Sequence, residues 1–363
     1  MTDALLPVQT PVPVVAIDRL DRNIARAASY ATAHGIALRP HVKTHKSIVV
    51  AEQQLRAGAV GLTVATPREL EVMSGVCDNL LWAHPPVGPT KVARAARVAR
   101  DATLTVAIDD AAQVDALGAA AAAEGVTIGV YVELDVGMHR VGVASTARAI
   151  ALAQQAAAHP ALRFDGLTCY PGHIRESTAS QDESLAALQA MLAEAVHEMT
   201  RAGVAPPVVS AGSTPTMWRT HDVPAITEMR PGTSVYNDRT TAAIGACAWD
   251  DCALTVLATV ISTSVPGQAV VDAGTKALGR EPVRGAAGEG WAALRDHPDV
   301  VVSRMSEEHG ILDLSNTDWR PRVGDQVHLV PNHVCIVVHL FDAVLASRDG
   351  VLGNGWPVSA RGR

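Results

Sequence analysis

From Asp18 onward, apolar positions recur at helical spacing through Leu20, Ile24, Ala28 and Ala31, and the pattern stops at Gly35, a residue suited to a helix C-terminus. The spacing predicts a helix that hands over to a short strand at 36–39. Further short apolar runs follow near 60–65, 79–84, 103–108, 127–134, 164–169, 207–210 and 226–229, most of them separated by alanine-rich, arginine-studded segments of helical period. Eight strands alternating with helices predict an α/β chain built on a (β/α)8 TIM-type barrel. An open Rossmann-like sheet is the rival, but no G-x-G-x-x-G follows the first strand and opens a helix. After about residue 240 the texture changes. Runs at 253–263, 268–273, 300–305, 326–330 and 334–340 are rich in β-branched residues and are separated by Pro, Gly and Asp, with no evident helix between them. The expected division is a barrel over 18–240 and a second, β-rich C-terminal domain over 241–363.

In a (β/α)8 barrel the active site lies at the C-terminal ends of the strands. Those positions hold Arg39-Pro40-His41-Val42-Lys43-Thr44-His45-Lys46 after the first run and His84 after the third. Asp135-Val136-Gly137-Met138-His139-Arg140 follows the fifth, and Tyr170-Pro171-Gly172-His173 the sixth. After the seventh and eighth come Ser210-Ala211-Gly212-Ser213-Thr214 and Arg230-Pro231-Gly232-Thr233. Lysine is scarce: the chain has only Lys43, Lys46, Lys91 and Lys276, so one at a strand end carries weight. An amine partly desolvated among His41, His45 and arginines is what a Schiff-base lysine needs, although a solvated loop lysine fits the same pattern. His41 and His45 sit four apart, a spacing that serves a metal only on a helix, and Pro40 argues against one there. The loops at 210–214 and 230–233 combine glycine, hydroxyls and backbone N–H groups at the usual phosphate position of such barrels; helix capping alone accounts for either equally well.

In the second domain His333 and Cys335 stand two apart in a run read as a strand, so both side chains would face one side. An imidazole and a thiolate suit zinc. A buried core thiol beside a turn histidine is an equal alternative, and His309 and Asp342 are weaker candidates.

Composition removes other classes of function. A net charge of −7, 3% aromatics and no basic run leave nucleic-acid binding without its electrostatic and stacking contributions. The five cysteines form no CxxC pair and read as reduced, mostly buried thiols. The first fifteen residues lack the basic and apolar regions of a signal peptide, and no apolar stretch approaches the ~20 residues of a membrane span. The expected address is the cytoplasm.

Taken together, these positions resemble the D-threonine aldolase and D-serine dehydratase family, within the alanine-racemase-like class of pyridoxal-phosphate enzymes. The likeness runs from Thr10-Pro11 and 18–24, through the R-P-H-x-K-x-H-K segment at 39–46, to Pro331-Asn332-His333-Val334-Cys335. The resemblance implies that Lys43 carries pyridoxal 5'-phosphate and that Arg140 contacts its phenolic oxygen. It further implies that Tyr170 lines the ring and that Ser210, Gly212, Ser213, Thr214, Gly232 and Thr233 hold the phosphate. His333 and Cys335 would ligate a divalent metal (Zn, Mn or Mg) next to the cofactor, and residues 1–17 would join the second domain. The implied activity is retro-aldol cleavage of D-β-hydroxy-α-amino acids, with His173 as base and His84 or His45 as alternatives. Dehydration of D-serine is the runner-up and racemisation comes third. A non-catalytic cofactor-binding protein is disfavoured, because such a chain needs no second domain. A homodimer is expected.

Overall fold

In the computed structural model, which describes residues 8–286 and 288–363, strand β1 (Val12–Ala16) runs directly into helix α1 (Ile17–His34). The helix ends where the sequence places Gly35, at φ +65°. The chain divides into two compact units, one formed by 24–234 with 359–363 and the other by 1–23 with 235–358.

The first unit holds eight parallel strands: β2 (Ala37–Leu38), β3 (Leu62–Val64), β4 (Asn79–Trp82), β5 (Thr103–Ile108), β6 (Ile128–Glu133), β7 (Leu162–Thr168), β8 (Val208–Ala211) and β9 (Glu228–Met229). Their order is β2-β9-β8-β7-β6-β5-β4-β3. The ring closes where Val60 N donates to Leu38 O and Thr63 N to Pro40 O, each at 2.9 Å, and where His41 bridges to Thr63. Helices α2 (Ile48–Arg56), α3 (Pro67–Met73), α4 (Pro89–Val98), α5 (Ala111–Glu124), α6 (Thr146–Ala158) and α7 (Asp182–Arg201) alternate with the strands. Four begin at a side-chain cap, from Ser47, Thr66, Asp110 and Ser145, which satisfies an N–H of the first turn. Every residue of β6 is buried, as expected of a strand covered on both faces, and the main core cluster fills the space between sheet and helices. This is the barrel that the eight-run pattern predicts.

The barrel interior is partly polar. Arg39 Nε donates to Glu228 Oε2 at 2.7 Å and Arg39 Nη1 to Asn79 Oδ1 at 2.9 Å, while Ser210 Oγ donates to Glu228 Oε1 at 2.5 Å. These bonds tie strand ends from four directions below the barrel mouth.

The second unit is mostly antiparallel. It contains β1 with β10 (Leu254–Ser262), β11 (Gln268–Val271), β12 (Ala292–Leu294), β13 (Val302–Met305), β14 (Gly310–Asp313), β15 (Gln326–Pro331), β16 (Ala343–Arg348) and β17 (Val351–Pro357). Strand β1 lies between β10 and β16, with Val14 opposite Thr255 and Leu345. Three short helices accompany them: α8 (Arg239–Ala243), α9 (Thr275–Leu278) and α10 (Val334–Leu340).

Helix α10 corrects the expected strand at 334–340. A seven-residue run of almost continuous apolar residues has no period that separates a strand from a buried helix. In the structure the run is a helix, and Asp238 Oδ2 accepts from Val334 N in its first turn at 3.3 Å. Among the described residues no helix is long and apolar enough to cross a membrane.

Candidate active site

The strand ends of the barrel surround a cavity of about 330 Å³, within the ~300–1,000 Å³ usual for small-molecule sites. Lys43, Arg140, Tyr170, Gly212, Ser213, Thr214, Gly232 and Thr233 all line it, and so do His41, His84, Glu133 and Arg230. Lys43 sits in a single 3-10 turn, 42–44, where its N–H donates to His41 Nδ1. Its Nζ lies 5.8 Å from the centre of the Tyr170 ring, and the Arg140 guanidinium carbon lies 4.7 Å from the same centre. The ring can lie there because the next residue but one is Gly172, where a Cβ would fall 2.1 Å from it.

Lys46, the other lysine of the motif, is not available to the cavity. Its ammonium is buried and paired with Glu69, whose second oxygen accepts from Ala65 N at 2.7 Å. His45 is turned inward as well: its Nδ1 accepts from Ser47 N at 3.1 Å, and burial pushes its pKa down to about 3. The His41 imidazole is held well below its usual range, first by desolvation and then by Lys43, Arg230 and Lys46. The ring is therefore neutral on the cavity wall. His41 and His45 do not converge on a common ion.

After β8, Gly212 adopts φ +91°, which L side chains rarely do, and the chain then enters the 3-10 helix Thr214–Asp222 through Ser213 and its capping box with Thr216. Thr214 Oγ1 accepts from Ser234 N at 3.1 Å, linking the two small-residue loops. Ser210 is absent from the cavity lining. It is the third residue of β8, and its hydroxyl points into the barrel, donating to Glu228 and accepting from Arg230 Nη1, each at 2.5 Å. Its hydroxyl is thus a strut beneath the site rather than part of the cavity wall. His173 is also outside the lining: it is exposed, with its ring against Gly137 in the loop that leads to Arg140.

Glu133 was not singled out from the sequence, although it is the last residue of β6 and so stands at a strand end. It is 6% exposed, and burial pushes its carboxyl up against the opposing pull of Arg230 and Arg140.

A second group of side chains lies in the other unit. His333 caps the start of α10, so the two-apart strand geometry expected for His333 and Cys335 does not apply. The two side chains are still close enough for the Cys335 thiol to be the largest influence raising the pKa of the His333 ring. Asp238, with no solvent exposure, accepts from His333 Nδ1 at 3.1 Å and from Thr241 N at 2.9 Å. No sequence spacing marks Asp238, which lies 95 residues from His333.

Both constellations fit the groups that the motifs imply. An amine, an aromatic face, guanidinium groups and a glycine-bearing cradle share one cavity, which suits pyridoxal phosphate. An imidazole fixed by a carboxylate, with a thiol two residues on, offers two donor types that suit a borderline divalent metal. Among the described residues no group of three or more His, Cys, Asp or Glu is placed to hold a metal ion.

Comparison with known proteins agrees with this geometry. Residues 15–240 match the family model described as alanine racemase, N-terminal domain, and residues 253–347 match a putative serine dehydratase domain. The chain is 35% identical to the D-threo-3-hydroxyaspartate dehydratase of Delftia sp., over 96% of this chain and 97% of that protein. It is 32% identical to the D-threonine aldolase of Arthrobacter sp., over 99% and 94%. The crystal structure of D-threonine aldolase from Filomicrobium marinum superposes with a TM-score of 0.90 at 31% identity, covering 98% of this chain and 96% of that one.

Proposed function

The chain belongs to the alanine-racemase-like family that includes D-threonine aldolase, and on that premise we propose that it is a pyridoxal-phosphate-dependent, metal-requiring lyase. Its reaction is the cleavage of D-threonine-like D-β-hydroxy-α-amino acids to glycine and an aldehyde. The observation that carries this reading is the shared cavity wall on which the Lys43 amine and the Arg140 guanidinium flank one aromatic ring, Tyr170. When bound, pyridoxal phosphate supplies an electron sink into which a bond to the substrate's Cα can break.

The chain's own residues choose which bond breaks. Lys43 would hold the cofactor, with Tyr170 against its ring and Arg140 beside it on the same wall. Gly212, Ser213 and Thr214 receive the phosphate together with Gly232 and Thr233. His333 and Cys335 would hold a divalent metal, which would supply Lewis acidity toward the substrate's hydroxyl. Asp238 keeps the His333 ring in one orientation. His173 takes the hydroxyl proton; its exposure lets it pass that proton to solvent. The reading includes a cytoplasmic homodimer, and light scattering that found a fully active monomer would count against the dimer.

Dehydration is the second reading, favoured by the 35% identity with the Delftia dehydratase. A product assay with D-threonine, D-serine and 3-hydroxy-D-aspartate, with and without chelator, separates the two. Glycine plus an aldehyde is the expected outcome. A 2-oxo acid and ammonia without glycine would overturn the aldolase reading.

A further inference from the structure

A second cavity, of about 430 Å³, lies wholly within the unit formed by 1–23 and 235–358. Its floor is one face of the adjacent strands β15, β10, β1 and β16, where His328, Thr255, Ala16 and Ser347 line the space. Cations enter from two sides. Arg19 and Arg22, three apart on the first turns of α1, share a helix face. Arg295, just after β12, comes from the other side with only one-tenth of its side chain exposed. Its Nη1 donates to Cys252 O at 2.9 Å, and its Nη2 reaches the exposed Asp250 carboxylate at 3.4 Å, outside the cavity lining.

Arg19 and Arg22 make no hydrogen bond or ion pair among the described residues, although both line the cavity. Burial, and then the nearby Arg19, disfavour the charge on Arg295. Burial also keeps the His328 ring neutral, helped by Arg295 and Arg19 and opposed by Asp296, and its Nδ1 shares a 2.8 Å hydrogen bond with Thr255 Oγ1. The acidic neighbours do not fill the space. Asp18 is engaged by Arg348 at 3.0 Å and by Asp349 N at 3.4 Å, and Asp296 and Asp349 are exposed at the rim. Arg22 is exposed at the mouth and Arg19 half-buried, and like charges that share one cavity repel one another unless an anion lies between them.

We propose that this cavity binds a small organic oxyanion, held by the guanidinium groups of Arg19, Arg22 and Arg295, with His328 on its floor. The guanidinium fork matches carboxylate and phosphate alike, and the volume leaves room for an organic body beyond the anionic group. The proposal is independent of the barrel cavity and of the reaction assigned to it.

The test is calorimetric titration of the holoenzyme, whose cofactor cavity is filled, with inorganic phosphate and separately with succinate at constant ionic strength. Saturable binding of at least one anion is expected, weakened at least about tenfold by Arg19→Gln and further by Arg19→Gln with Arg22→Gln. Neither side chain makes an internal bond, so both variants are expected to keep the wild-type thermal midpoint. Binding of phosphate alone assigns a phosphate ligand, and binding of succinate alone a carboxylate. Absence of saturable binding by either anion overturns the proposal. So does unchanged affinity in the double variant, which would place the anion elsewhere, on the metal for example.

Discussion

His333 Nδ1 stands 3.1 Å from Asp238 Oδ2, a carboxylate with no solvent exposure. That oxygen also accepts from Val334 N, so one group both orients the imidazole and closes the first turn of α10. A carboxylate behind a metal-ligating histidine fixes its tautomer and raises its basicity, and losing it costs about 10–100-fold in metal affinity. Asp238→Asn keeps the capping oxygen that Thr241 N uses and removes the charge. Competition with a chromophoric chelator should therefore show metal binding weakened by about that factor, together with a stability loss of about 1–3 kcal/mol because the amide nitrogen cannot accept from Val334 N. Equal affinity in the variant would mean that His333 is not a ligand.

Two lysines stand three apart in the 39–46 motif, and their surroundings separate them. The Lys46 ammonium is spent on buried Glu69, while Lys43 lines the cavity. Borohydride reduction of the holoenzyme followed by peptide mapping should place the pyridoxyl group on Lys43, and Lys43→Ala should abolish the visible absorbance of the bound cofactor. An adduct on Lys46, Lys91 or Lys276 would refute the assignment.

The barrel is legible in the sequence because most of its strands are short apolar runs separated by helical segments. The two shortest, Ala37–Leu38 and Glu228–Met229, are also where the expected four-residue strands overshoot. The loops that follow the strands were equally readable, since the fold places their residues around one mouth. Legibility ends where a choice depends on distant partners. The run that forms α10 reads as a strand, with nothing in it to show that Asp238 accepts from Val334 N, and nothing near Ser210 shows that Glu228 and Arg230 hold its hydroxyl inward. The strands β12, β14, β16 and β17 are short or interrupted by glycine and polar residues, so their pairing becomes visible only in the sheet.

Burial of His45 makes stability depend on pH. Its ring is almost fully buried and binds a proton only near pH 3, whereas the unfolded chain binds one below the ordinary value of 6.5. Between these values the unfolded state holds more protons, so stability rises with pH and is lost as pH falls from 6.5 toward 3. The slope is up to about 1.4 kcal/mol per pH unit for one such group. His45→Asn retains an acceptor for Ser47 N without the titration. Urea unfolding at pH 7 and pH 5 should show a smaller loss in the variant than in the wild type. An identical loss would mean that the ring is protonated in the folded protein.

The identity of the base is open to direct comparison of two histidines. His84 lines the cavity, while His173 is exposed against Gly137, three residues beyond the Tyr170 ring that forms part of the wall. Hydrogen bonds to a base are often long before substrate binds, so position outside the lining does not disqualify His173. Removing a general base typically lowers turnover by about two to four orders of magnitude. Cleavage of D-threonine should fall by that amount in His173→Ala and far less in His84→Ala. Exchange of the α-proton of D-alanine asks nothing of a β-hydroxyl, so it should survive in His173→Ala. If the large loss appears in His84→Ala instead, the proton goes to His84, and the 170–173 loop has the narrower task of holding Tyr170 against the cofactor ring.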